Sequence, residues 1–198
     1  MGNAYICYSY NELTNIPKLK NMKAFFTSTV ALALTAVSVF GQTNKEETIN
    51  IDSILINNKV PFLTTVKVLK DNLGKPDSIV SKPKNFGNYV EVATDPIYFY
   101  GQTSFEIHNE TAVLQKIDFR NEQFKLNTTG LTLDSHTTLN DFRQFFPSSS
   151  DKSYDWTNPI DKKTYKLVRV QSKENHIDQW VLKFYNDKLI EIEYRTAC

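Results

Sequence analysis

The sequence predicts an α+β fold made of two tandem units, each a short helix packed on a three- to four-stranded antiparallel sheet. Three observations predict it. The segments "LTTVKVLKDNLG" (63–74) and "HTTLNDFRQFFP" (136–147) align without gaps, and each carries apolar residues at helical spacing behind a Thr-Thr pair. The segments "FEIHNETAVLQKIDFR" (105–120) and "LKFYNDKLIEIEYR" (182–195) alternate apolar and polar residues on both sides of a turn. The two kinds of segment recur in the same order. The expected organisation is an upstream extension over 1–21, a signal peptide over 22–41, a first unit over 42–125 and a second over 126–198.

The leader comes first. Lys18, Lys20 and Lys23 form a basic start, and residues 24–40 carry no charge. Val39-Phe40-Gly41 offers modest side chains before the polar run Thr43 to Glu47. That order is a secretory signal peptide, which places the working chain in the periplasm or outside the cell after cleavage near Gly41. An uncleaved anchor over 24–40 is the alternative, and the Thr and Ser side chains within the segment weigh against it. Met22 reads as the natural start, which makes residues 1–21 a disordered extension. Ile6 breaks the myristoylation pattern that Met1-Gly2 opens. No Cys follows the apolar run, which argues against a bacterial lipid anchor. Cys7 leaves with the leader, so Cys198 stands alone and no internal disulfide forms.

Trimming the leader removes Lys18, Lys20, Lys23 and Glu12, leaving 20 basic against 21 acidic side chains. Nucleic-acid binding needs a basic stripe, and this balance provides none. Without disulfides the domain depends on a core, and the aromatic content, thirteen Phe, ten Tyr and two Trp over the full chain, is high enough to build one.

The helices follow from local chemistry. Val66, Leu69 and Leu73 in the first, and Leu139, Phe142 and Phe146 in the second, share one helical face. The second Thr of each pair, Thr65 or Thr138, is placed to cap an orphan backbone N–H. Thr138 with Asp141 three residues later forms a capping-box pattern. Gly74 and Pro147 end the two helices.

The hairpins follow from period two. Phe105 and Ile107, then Ile117 and Phe119, form a buried face, with Glu106, His108, Lys116 and Asp118 on the wet one. Leu182 and Phe184, then Ile190, Ile192 and Tyr194, do the same in the second hairpin, against Lys183, Glu191 and Glu193. Asn109 and Asn186-Asp187 supply the turns. Further strands are expected at Ser78–Val80, Tyr89–Val92, Ile97–Tyr100, Ser153–Thr157 and Tyr165–Gln171. Short helices do not persist alone, and laying each across a sheet face buries both. The rival, an all-β barrel of lipocalin type, requires alternation that the two helix-period segments lack. Two tandem units can also share a sheet edge and hide it from aggregation.

The run Leu73-Gly74-Lys75-Pro76-Asp77, closing a helix ahead of a curled antiparallel sheet, resembles small envelope domains of the β-lactamase-inhibitor-protein type. The outer-membrane assembly lipoproteins of SmpA/OmlA type share that architecture. The second copy departs from the motif with Phe146-Pro147-Ser148. The resemblance covers the architecture from about residue 50 onward, and it implies an exported binding protein that works through an exposed sheet face.

Catalytic chemistry is thinly represented. His108, His136 and His176 fall on a wet strand face, ahead of a helix cap and in a polar turn, with no spaced metal-ligand set. No phosphate loop, nucleophile elbow or Cys–His pair occurs. Glu191 and Glu193 share a strand face but read as solvated. No catalytic residue, metal or cofactor is therefore expected. The aromatics point elsewhere: Trp156, Tyr165 and Tyr185, with Arg169, form a candidate partner-binding patch, because large rigid side chains and Arg dominate binding surfaces. Against this stands the reading of Trp156 and Trp180 as core or edge residues. The expected function is a non-enzymatic module that binds an unknown protein or peptide, with no nucleic acid, and meets the membrane only through its signal segment. A small-ligand carrier or enzyme with a helix–sheet pocket is the first alternative, which packing of Phe142, Phe145 and Phe146 would close. A membrane-anchored structural protein is the second.

Overall fold

The computed structural model describes residues 47–81, 95–174 and 177–196. The expected signal peptide, both cysteines, His176 and the expected strand Tyr89–Val92 lie outside those residues.

The helices form where local chemistry places them. Helix α1 spans Val66–Leu73, and its cap Thr65 accepts a hydrogen bond from the Val68 N–H. Gly74 ends it at φ 82°, a left-handed backbone that costs glycine nothing. Helix α2 spans Leu139–Phe145, with a full capping box between Thr138 and Asp141. Pro147 ends that helix and opens the next, because a missing N–H is harmless at a first turn: α3 spans Pro147–Asp151.

The strands are β1 (Thr48–Ile49), β2 (Leu55–Ile56), β3 (Val60–Pro61), β4 (Leu63–Thr65), β5 (Ser78–Ser81), β6 (Pro96–Tyr100), β7 (Thr103–His108), β8 (Thr111–Asp118), β9 (Leu126–Thr128), β10 (Leu131–Leu133), β11 (Tyr154–Thr157), β12 (Thr164–Ser172), β13 (Gln179–Tyr185) and β14 (Lys188–Arg195). Ten of them make one mixed sheet in the order β1-β12-β13-β14-β8-β7-β6-β5, with β11 on the edge of β12 and β4 on the edge of β8. Two strands share one edge of β12. Antiparallel β11 takes 164–167, and parallel β1 takes 171–172. The remaining strands form a small antiparallel sheet, β10-β9-β2-β3.

This overturns the expected fold class. Half of the described residues lie in strands and 17% in helices, so the protein is mostly β rather than two helix-on-sheet units. The physical reason lies in the helices. Among their residues α1 fully buries only Leu69, and α2 only Phe142. One buried side chain cannot cover four strands. The small sheet completes the cover with Ile56, Val60, Leu126 and Leu133. The last strands of the two hairpins then pair, Ile117 against Ile192, so a single sheet runs through both halves. One core cluster joins Leu69, Phe105 and Ile117 to Phe142, Trp180 and Ile192.

Three finer expectations also change. Phe145 is half exposed rather than packed. A register shift at Lys183/Phe184 pairs Phe184 with Leu189, so Leu189 enters the core in place of Ile190. Asp118, expected on a wet face, is 3% exposed, because Arg120 folds back over its carboxylate.

Candidate functional site

Strands β11 to β14 turn Val168, Val170, Trp180, Leu182, Phe184 and Ile192 toward the core. Their other face is set by the cross-strand register. One row runs Tyr154, Leu167, Lys183, Glu191 and on to Asp118 of β8. The next runs Arg169, Val181, Glu193 and Lys116. Trp156 opposite Tyr165 begins a third. An open depression of about 430 Å³ lies over these rows, with Leu167 and Val181 as its apolar floor and Tyr154, Trp156, Arg169, Lys183 and Glu193 among its rim.

The four residues singled out from the sequence all fall on this face, in different environments. Trp156, on the edge strand, is 37% exposed. Arg169 is exposed and Tyr185 half-buried. Tyr165 is buried, with the Trp156 ring 6.0 Å away on one side and the Tyr185 ring 5.4 Å away on another. Its hydroxyl donates to the Asp161 carboxylate, and that bond, with burial, pushes the phenol up to about 12. Tyr165 is therefore a support under the surface aromatics. Trp180 is fully buried and belongs to the core.

Charged groups interleave with these rings. The Lys183 ammonium sits 2.6 Å from Glu191 and stacks over both Trp156 (5.7 Å) and Tyr165 (5.5 Å). Arg195 pairs with Glu193 at 2.6 Å. Arg169 is held differently. Its Nη2 donates to the Tyr154 hydroxyl at 2.8 Å, and its guanidinium lies 5.1 Å above the Tyr154 ring. At the end of the first row, on β8, burial would raise the Asp118 carboxyl, but hydrogen bonds and charge from Arg120 outweigh it and hold it below the usual range.

Sequence reasoning passed over Tyr154, Lys183 and Arg195 as site residues. The signal was present, since Tyr154 lies two residues from Trp156, and Arg195 two from Glu193, on shared strand faces. It becomes visible only once the register fixes which strands are neighbours.

On this face Asp118, Glu191 and Glu193 are ion-paired to Arg120, Lys183 and Arg195. Among the described residues no group of three or more metal-ligating side chains forms. A second hollow of about 330 Å³ lies by Phe145, His136 and Asp134, away from this face. His108, half-exposed at the other end of the sheet, bonds Asp95 at 2.6 Å. Comparison with protein-family models, characterised proteins and solved structures finds no match to this chain, so the resemblance to small envelope domains rests on the residues quoted for it.

Proposed function

We propose that this protein is an exported, non-enzymatic protein-binding module of the bacterial cell envelope, acting through the open face of β11 to β14. The observation that carries the reading is the juxtaposition there of exposed Tyr154, Trp156 and Arg169 around an apolar floor. Interfaces concentrate their energy in such residues, and the aromatic ones combine large contact area with few rotors to freeze. Export is inferred from the leader. A pocket between helix and sheet finds less support, because Leu69, Phe142 and Phe146 occupy that junction as buried core.

Site-specific photocrosslinking in the native envelope tests the reading. Benzoylphenylalanine placed at Tyr154 or Trp156 should capture one dominant protein. The same group at Ile160, which is 89% exposed in a neighbouring loop, should not. Equal capture from Ile160, or none from the face, overturns the proposal.

A further inference from the structure

Resting on that reading, we infer that Arg169 anchors a carboxylate of the partner, and that the docked element is an extended peptide segment carrying Asp or Glu. The charge balance of the depression points to this. Its lining holds three cations, Arg169, Lys183 and Arg195, against two carboxylates, Glu191 and Glu193. Lys183 and Arg195 are ion-paired to those two. The surplus positive charge therefore sits on Arg169. Arg120 has Asp118 and Arg143 has Asp151, whereas the contacts of Arg169 are to the Tyr154 ring and hydroxyl, which are neutral.

That contact also prepares the group for a ligand. Stacking on Tyr154 and donation to its hydroxyl fix the guanidinium plane and leave the remaining N–H groups of its fork for an acceptor. A planar carboxylate matches that fork. The width of the floor selects the shape of the partner. Leu167 and Val181 are a narrow apolar strip, too small for the broad stripe of a docked helix. An extended chain offers alternate side chains at strand spacing, so one residue can meet Arg169 while another lies against Trp156. The site also borders a break in the edge of the sheet, since β11 pairs β12 up to Leu167 and β1 pairs it from Gln171, with Arg169 between them.

Selection from a displayed library of short random peptides on the purified full chain tests this. Selected peptides should be enriched in Asp or Glu beside an aromatic or branched residue. Their affinity should fall at least about tenfold in R169Q and weaken with added salt. R169K should recover part of the binding, and R143Q should leave it unchanged. Circular dichroism checks that each variant folds. If R169Q does not, R169K and Y154F carry the comparison, since each keeps a neighbouring contact but spoils the fork or its support. Peptides without acidic enrichment, lost in W156A but indifferent to R169Q, overturn the Arg169 anchor and leave the sheet-face reading standing. Peptides indifferent to both substitutions overturn both. A library that yields no binder overturns the peptide inference alone, with photocrosslinking still deciding the face.

Discussion

Asp118 lies almost out of solvent at the β8 margin of the open face, directly across from Glu191 on the neighbouring strand. Two carboxylates in that position repel, and each is stable because a cation answers it: Arg120 for Asp118, Lys183 for Glu191. The Asp118 carboxyl titrates below its ordinary value when folded. Its contribution is therefore present above the unfolded value of 3.8 and is lost as pH falls through the lower folded one. D118N should cost about 1–2 kcal/mol at neutral pH. The cost should shrink toward zero in acid, read as urea midpoints at pH 7 and below pH 3. An equal cost at both would show that the charge is irrelevant. The two tryptophans form a second contrast. W180A removes a fully buried ring and should cost about 3–5 kcal/mol. W156A, at the exposed edge, should cost under about 1 kcal/mol while weakening the partner. Thermal melts separate them, and similar large losses would make Trp156 a core residue.

At the scale of elements, the second helix depends most on its first turn. In the capping box, Thr138 accepts from the Asp141 N–H at 3.0 Å while Asp141 accepts from the Thr138 N–H at 3.0 Å. T138A should cost about 1–2 kcal/mol in chemical denaturation, and T138S should restore most of it. These caps were legible in the sequence because a cap is decided within four residues. The hairpins were legible for the same reason: Asn186 and Asp187, both at positive φ, close β13 onto β14. What was not legible depends on distant chain. Leu189 displaces Ile190 because β14 carries one extra residue there, Ile190, which has no register partner in β13, and the alternation of β14 alone does not announce it. Strands β2, β3, β9 and β10 are two or three residues long, too short to show a period. Missing them is what made the helices look like the cover of the sheet. In the site, Trp156 and Arg169 were visible by residue type. Tyr165 was misjudged as surface because its cover is supplied by Trp156, Tyr185 and Lys183 on other strands.

At the scale of the molecule, a main sheet that runs through both halves and one core cluster beneath it should give one transition. Urea unfolding followed by tryptophan fluorescence and by far-UV circular dichroism should coincide. Separate midpoints would mean that the halves on either side of the β8–β14 seam open independently. The parallel strand β1 adds a kinetic consequence. Thr48 pairs with Gln171, the Glu47 carboxylate accepts from the Ser148 and Ser149 N–H groups at 2.8 and 2.7 Å, and Ile49 is buried. All three contacts close a loop that contains most of the domain. Such long closures come late, after nearer contacts have formed. The stretch synthesised first among the described residues would thus be the last to be seated. I49A should accordingly raise the unfolding rate while leaving the folding rate nearly unchanged, as stopped-flow chevrons can show. Slowed folding instead would place β1 in the nucleus. With late docking, the amino end of the domain acts as a latch, and its release sets how long the native state survives.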